Sequence, residues 1–133
     1  MKNMLPVALS LILLASCTKN SVEIDPRSSF EGTWSWWQKS GGISGMYEDT
    51  VTSTDRMTLQ FDEENVYNWI KNDTLIYYGG YQSKMEMSLI LNKRVKIVTL
   101  ENYPARLIIK QQKDTLELVE DVTDGFTYRF IRK

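Results

Sequence analysis

Short stretches of alternating apolar and polar residues dominate the chain from Phe30 to its end. The segments 57–61, 116–118 and 126–130 carry apolar side chains at every second position. This period of two is typical of a β-strand with one buried face. Turn-forming residues separate the segments about every 8–12 residues, which is the spacing of an all-β sandwich or barrel.

The pattern predicts eight strands joined by short connections. We place them at 30–39, 55–62, 65–71, 74–87, 94–101, 105–111, 115–120 and 126–132. Such connections favour antiparallel neighbours in an up-and-down meander, and eight strands can close into a barrel that leaves no free edge. The pair Gly79-Gly80 interrupts the longest strand, which indicates a bend or bulge. The fold class is therefore all-β.

The first 16 residues follow a different pattern. A basic start at Lys2 leads into an apolar stretch from Leu5 to Ala15, which is shorter than the roughly 20 residues of a transmembrane helix. Residues 1–16 are therefore interpreted as a secretory signal peptide. The sequence Leu14-Ala15-Ser16-Cys17 resembles the lipobox of bacterial lipoproteins, and the alternative is an ordinary signal peptide that contains one cysteine.

Cys17 is the only cysteine of the chain, so no internal disulfide can form. A lone thiol in an exported protein needs a reason, and lipidation supplies one. The lipobox resemblance implies acyl chains such as palmitate on Cys17 and attachment to a membrane. Thr18 stands where an aspartate retains enterobacterial lipoproteins in the inner membrane, which favours the outer membrane of the cell envelope, with its periplasmic and outer faces both left open.

Residues 17–29 are polar and lack periodicity, so we interpret them as the lipidated cysteine and a flexible tether that reaches roughly 40 Å when extended. Residues 30–133 form the predicted barrel domain. Removing the signal peptide removes Lys2 and leaves slightly more acidic than basic side chains. This balance argues against a nucleic-acid partner, which would require a basic patch.

Gly32-Thr33-Trp34 stands at the start of the first predicted strand. A Gly-x-Trp at this place in an eight-stranded meander resembles the lipocalin-like (calycin) superfamily. The resemblance covers residues 30–133 and implies that Trp34 closes the narrow end of the barrel under an arginine from the last strand. Arg132 has the parity of the inward residues of its strand and Arg129 is the outward alternative, so we predict a cation–π contact between Arg132 and Trp34.

The glycine-rich stretch Ser40 to Gly45 follows the first strand. A similar stretch follows the first-strand tryptophan in small lipocalin-like lipoproteins of Bacteroidota. The resemblance implies that Gly41, Gly42 and Gly45 belong to a long loop folded across the mouth of the barrel. A phosphate-binding loop would need a strand-to-helix context and a following lysine, and the sequence has neither.

Catalytic chemistry has little support in this sequence. The absence of histidine removes triad catalysis and the commonest metal ligand. The acidic residues of 62–64 lie in a predicted turn, and the spacing of Asp121 and Asp124 does not match a calcium loop. We therefore expect a protein that is not an enzyme and that has no metal and no cofactor.

Aromatic residues are abundant, with four Trp, seven Tyr and four Phe. Trp36 lies one pleat further up the barrel than Trp34, which predicts that it lines an interior pocket. Trp69, Tyr78 and Tyr128 are further candidates for this lining, with Met57 opposite. The competing interpretation is that these side chains only fill the core, because an eight-stranded barrel is just wide enough for its own side chains or for one small ligand.

Two functions remain open. The first is a membrane-anchored lipoprotein that binds a small apolar or amphipathic ligand in the barrel mouth. The second is a non-enzymatic interaction or structural lipoprotein whose solid barrel binds an envelope protein through the outward Trp37.

Overall fold

The alternating segments form β-strands throughout the part of the chain that the structure, a computed structural model, describes: residues 29–52 and 54–133. The strands are β1 (Gly32–Gly41), β2 (Tyr47–Thr50), β3 (Met57–Phe61), β4 (Val66–Lys71), β5 (Thr74–Met87), β6 (Arg94–Leu100), β7 (Leu107–Gln112), β8 (Thr115–Glu120) and β9 (Phe126–Arg132). These residues include no helix that could cross a membrane. The predicted signal peptide, Cys17 and the tether up to residue 28 lie outside the described residues.

Eight of these strands close into an antiparallel barrel, as the sequence predicts. β1 and β3 to β9 pair in chain order, and β9 returns to pair with β1. The closing seam runs from Trp34 opposite Arg132 to Gly41 opposite Phe126. The sequence-based strand positions agree with the eight barrel strands to within a few residues.

A ninth strand, β2, stands where the sequence analysis places a long mouth loop. β2 pairs with the end of β1, from Gln38 opposite Thr50 to Gly41 opposite Tyr47. Gly41 thus ends β1, and Gly42 and Gly45 lie in a tight turn closed by the Gly45 amide, which donates to the Gly42 carbonyl at 2.9 Å. The loop prediction is corrected to a β-hairpin, because the chain pairs with its own preceding strand.

A β-bulge in β1 changes which side chains point inward. Trp36 lies opposite Phe130 but Gln38 lies opposite Arg129, so Trp37 is an extra residue in the ladder. A bulge of this kind shifts the inward–outward alternation by one position. Trp36 keeps the inward direction of Trp34 and Trp37 is exposed, but beyond the bulge Lys39 turns inward and lies opposite the buried Tyr128.

The closed end of the barrel is built around Trp34, which is fully buried. The Trp34 Nε1 donates to the Phe30 carbonyl at 2.7 Å. The guanidinium carbon of Arg132 lies 4.2 Å from the Trp34 ring centroid, and its Nη1 and Nη2 donate to the carbonyls of Glu31 and Ser29. The structure therefore brings Trp34 and Arg132 together across the seam.

Gly32 makes the approach of Arg132 sterically feasible. A Cβ at Gly32 would stand 2.8 Å from Arg132 Nη1, and the φ of Gly32 is +122°. Arg129 points to the outer face, where it binds Glu117, Gln38 and Ser40. The parity argument for Arg132 over Arg129 agrees with these positions.

Candidate functional site

A cavity of about 370 Å³ opens at the end of the barrel opposite Trp34. Four of the five residues predicted to bind a ligand line it, namely Trp36, Met57, Trp69 and Tyr128. The other lining residues are Lys39, Tyr47, Asp49, Asp55, Lys71, Ile76, Tyr77, Tyr103, Pro104, Glu120 and Phe126. The barrel is therefore packed at one end and hollow at the other.

Tyr78, the fifth predicted residue, is wrong as a lining residue. It is 59% exposed and lies opposite Asn68, while Tyr77 lies opposite the inward Trp69. The β4–β5 register is unbroken at Gly79-Gly80, so the bulge expected there is wrong, and the irregularity of this strand pair lies between Trp69 and Ile70. The parity of the buried Tyr81 would have identified Tyr77, because residues 77, 79 and 81 share one face.

Aromatic rings form the walls of the cavity. Trp69 stacks on Tyr103 with ring centroids 5.3 Å apart and planes 15° from parallel, and it meets Tyr128 edge to face at 5.2 Å. The sequence does not predict Tyr103 as a lining residue, because Asn102-Tyr103-Pro104 has the composition of a turn. An aromatic side chain inside a turn that follows a buried strand was the available signal.

Lys39 is a cavity residue that sequence parity does not reveal, because the Trp37 bulge turns it inward. Its Nζ lies 3.9 Å from the ring centroid of Phe126, 5.2 Å from that of Tyr128 and 5.6 Å from that of Tyr47. No carboxylate of residues 29–52 and 54–133 forms an ion pair with it. The ammonium group is thus held by aromatic faces alone, an arrangement that stabilises a cation.

The carboxylates of the cavity are already engaged. Glu120 accepts hydrogen bonds from the Tyr103 hydroxyl at 2.6 Å and from the Phe126 amide at 2.9 Å. Asp55 forms an ion pair with Lys71 at 3.1 Å. Burial raises the pKa of the Tyr103 phenol and its hydrogen bond to Glu120 raises it further, so Tyr103 remains a neutral donor at neutral pH.

Asp49, the third carboxylate, lies opposite Lys39 in the β1–β2 ladder. Its contact is the Tyr47 hydroxyl, which donates to it at 3.4 Å. Because this group is at the outer rim and partly exposed, solvent weakens its effect on the cavity interior.

Two buried indole groups line the cavity without a hydrogen-bond acceptor. Trp36 and Trp69 are each 2% exposed, and the Nε1 of each has no partner among the described residues. A buried donor without an acceptor costs about 1–3 kcal/mol. The Nε1 of Trp34, by contrast, is satisfied by the Phe30 carbonyl. Both Nε1 atoms are closed to solvent, and so is Asp55 Oδ1, an acceptor of the same lining that also has no hydrogen-bond partner.

The acidic residues considered for catalysis or metal binding do not come together in one site. Asp62 accepts hydrogen bonds from the amides of Glu64 and Val66, both at 2.9 Å, within the β3–β4 turn. Asp121 is buried, whereas Asp124 is exposed. Residues 29–52 and 54–133 contain no cluster of three or more acidic or sulfur ligands suited to a metal ion.

Comparison with known proteins gives no relative from which a role could be transferred. No family model, no curated protein and no solved structure matches the chain. The mouth cavity is accordingly interpreted from its own residues.

Proposed function

We propose that this chain is a small-molecule-binding protein of the cell envelope, and that its ligand occupies the cavity at the mouth of the barrel. The observation that carries the proposal is a cavity of about 370 Å³ at the open end of the barrel, with seven aromatic side chains in its lining. Binding pockets in proteins are typically apolar clefts of about 300–1,000 Å³ with a few polar groups that orient the ligand.

The size of the cavity sets the size of the ligand. About 370 Å³ accommodates a compact molecule with one or two fused rings and excludes an extended long-chain lipid from full burial. The ring walls supply apolar contact, and each ring pair adds specific geometry. A small amphipathic molecule matches both the aromatic walls and the charged side chains that share the lining.

The anchoring half of the proposal rests on the sequence. The lipobox resemblance at Cys17 supports acylation and a position at the outer membrane, and more than one acyl chain gives stable attachment. Labelling cells with radioactive palmitate tests this, because Cys17→Ser should abolish both the label and membrane fractionation. A Cys17→Ser protein that remains labelled would contradict lipidation at this residue.

Fluorescence titration of the purified protein with N-phenyl-1-naphthylamine tests ligand binding. We expect saturable binding that Met57→Trp removes, because the added ring fills the cavity at its rim. Met85→Trp is the matched control, since Met85 is exposed on β5 and lies outside the cavity. Absence of saturable binding, or equal binding by the two variants, would count against the proposal.

A second candidate function is docking to an envelope protein through Trp37. The bulge in β1 presents this ring outward beside a groove of about 480 Å³ that Lys110, Glu117 and Arg129 also line. A photo-crosslinking residue at position 37 should give one discrete adduct in cells, and the same residue at the exposed Met85 on β5 should not. Identical patterns at both positions would remove this candidate.

A further inference from the structure

The turn between β5 and β6 has an apolar tip, unlike two other tight turns of the barrel. Leu89, Ile90 and Leu91 form this tip and are all exposed, Leu89 to 73%. Polar residues that suit tight turns make up the β3–β4 and β4–β5 turns, at 62–65 and 72–73. Three consecutive exposed aliphatic side chains therefore need a reason outside the packing of the barrel.

Further apolar side chains stand next to this tip. Met87 precedes the turn at the end of β5 and is exposed, and so is Val122. Val122 directly follows Asp121, whose carboxylate accepts a hydrogen bond from the Leu89 amide at 2.9 Å. Single exposed apolar residues are common, but a contiguous group of them marks an interaction site. The tip and its neighbours form such a group.

The backbone amides of the tip are bonded within the protein. Four successive amides donate at 2.9–3.2 Å, those of Leu89 and Ile90 to Asp121, that of Leu91 to the Ser88 hydroxyl and that of Asn92 to the Ser88 carbonyl. In a bilayer a free amide is costly, because no water replaces its lost hydrogen bond. These amides can leave water without that cost.

Buried polar side chains hold the turn in place. Ser88 and Asp121 are both buried, and the Ser88 hydroxyl donates to the Asp121 carboxylate at 2.7 Å. Arg106 donates to the same carboxylate at 2.7 Å and to the Met87 carbonyl at 2.9 Å. A segment that is already ordered loses less conformational entropy on binding. The apolar tip is thus presented ready for contact.

Basic side chains border the tip on one side. Lys93 and Arg94 follow it directly, are exposed, and form no ion pair within residues 29–52 and 54–133. The carboxylates of Glu86 and Asp121 are each paired with an arginine. Asp124, in the adjoining β8–β9 turn, supplies one exposed negative charge against these two positive ones. The complement of the turn is an apolar surface with negative charge at its edge.

We propose that the β5–β6 turn is a membrane-contact site, which inserts Leu89, Ile90 and Leu91 into the interfacial region of a bilayer that contains anionic phospholipids. Apolar side chains that enter the acyl boundary, together with basic side chains at the headgroups, are the combination that holds peripheral segments on membranes. Residues 88–94 do not line the mouth cavity, so this inference is independent of ligand binding there.

A nitrobenzoxadiazole label on the turn tests the proposal. Ile90→Cys in a Cys17→Ser background gives one labelling site on the full chain, and Ile43→Cys places the label on the β1–β2 turn, at a residue that is 92% exposed. Vesicles of phosphatidylglycerol and phosphatidylcholine should shift the emission at position 90 to the blue and expose the label to nitroxide quenchers on the acyl chains. The label at position 43 should show neither effect.

Variants of the chain labelled at position 90 separate the apolar contribution from the electrostatic one. Leu89→Gln should lower the affinity for these vesicles about tenfold, because one aliphatic side chain no longer enters the bilayer. Leu75→Gln, at an exposed leucine of β5, should leave it unchanged. Lys93→Gln should lower it about fivefold, but not on pure phosphatidylcholine, and Lys113→Gln on the β7–β8 turn should have no effect. Thermal melting verifies that each variant is folded.

Equal shifts at positions 90 and 43, or equal affinities of Leu89→Gln and Leu75→Gln, would overturn the proposal, since exposure alone would then explain the contact. Equal affinity for vesicles with and without phosphatidylglycerol would overturn the preference for anionic lipids. A blue shift that grows with protein concentration in the absence of vesicles would assign the turn to a second copy of this chain instead. Leu89→Gln should still bind N-phenyl-1-naphthylamine, so the failure of this proposal is distinguishable from failure of the proposed function.

Discussion

Asp121 shows at the scale of one residue how a buried carboxylate organises its surroundings. Its oxygens accept hydrogen bonds from Ser88 Oγ at 2.7 Å, from the amides of Leu89 and Ile90, and from Arg106 Nη2 at 2.7 Å. These donors lie in the β5–β6 turn and at Arg106, just before β7. The carboxylate therefore fastens an apolar turn to the barrel, which explains why an acidic residue is buried there.

The acid stability of the protein should depend on Asp121. Burial opposes its negative charge, but its hydrogen bonds outweigh burial and lower its pKa from 3.8 to about 2. A lowered folded-state pKa contributes stability above pH 4 that is lost as the pH falls towards 2, worth about 2 kcal/mol. Asp121→Asn should lose about this much at pH 7 in urea denaturation, and the exposed Asp124→Asn should not. Similar losses in both variants would contradict this role.

Tyr67 should contribute to the loss of folding stability at alkaline pH. It is fully buried, its hydroxyl donates to the Glu101 carbonyl, and burial raises its pKa to about 12. Because the unfolded phenol ionises near pH 10, stability is present below that pH and falls as the pH rises to 12. Tyr67→Phe should cost about 1 kcal/mol at pH 7 and flatten the loss above pH 10. The exposed Tyr78→Phe is the control, and an unchanged pH profile in Tyr67→Phe would contradict the assignment.

Parity predicts side-chain direction well where strands are regular and fails at bulges. Trp34, Trp36 and Trp69 point inward as expected from alternation. Lys39 does not follow it, because Trp37 adds a residue to β1. Tyr78 does follow it and points outward, since the register is unbroken from Gly80 to Tyr77. Backbone irregularities of one residue leave little trace in sequence, yet they decide which charge faces the cavity.

At the scale of elements, the hairpin of β1 and β2 depends on pairing rather than on burial. β2 consists of Tyr47-Glu48-Asp49-Thr50, which has no apolar alternation and is mostly exposed. The sequence predicts the eight barrel strands because each has one buried face, which appears in the sequence as apolar residues at alternate positions. A strand held by backbone hydrogen bonds to a neighbour has no such signature, so β2 was interpreted as a loop.

The end of β1 should tolerate no side chain at Gly41. Its φ is +118°, and an added Cβ would stand 2.5 Å from the Gly125 carbonyl oxygen in the β8–β9 turn. Gly41→Ala should therefore destabilise the fold by about 3 kcal/mol or more, through backbone strain and collision. Gly45→Ala meets no atom within 4 Å, has a φ of +65°, and should cost about 1 kcal/mol. Equal costs in denaturant titration would show that the close approach to Gly125 is not restrictive.

The whole molecule combines a rigid closed end with an open one. Packing around Trp34 and the seam between β1 and β9 fixes the barrel, while the other end keeps a cavity lined by aromatic and charged side chains. Closure was predictable because strand number and the direction of the last strand determine it. The cavity was not, since its existence depends on how fully the rings of an aromatic-rich interior interdigitate, and composition alone leaves both outcomes open.

A substitution at Arg132 tests whether the closed end and the open end of the barrel are independent of each other. Arg132 covers Trp34 at 4.2 Å and donates to the carbonyls of Glu31 and Ser29. Arg132→Met removes the cation–π contact and two charged hydrogen bonds, so it should destabilise the protein by about 2–4 kcal/mol. Arg129→Met removes hydrogen bonds to Glu117, Gln38 and Ser40, but it should cost less because these contacts lie on the partly exposed outer face and no aromatic ring is uncovered.

Ligand affinity at the mouth cavity distinguishes a local loss of closure around Trp34 from a change that reaches the whole barrel. Arg132→Met should change the fluorescence of the buried Trp34 environment while leaving the affinity for N-phenyl-1-naphthylamine nearly constant below the melting temperature, since the cavity is lined by residues at the opposite end. A loss of affinity equal to that of Met57→Trp would show that the seam at Arg132 also shapes the cavity. A cost no greater than that of Arg129→Met would mean that the Trp34–Arg132 contact does not hold the barrel shut.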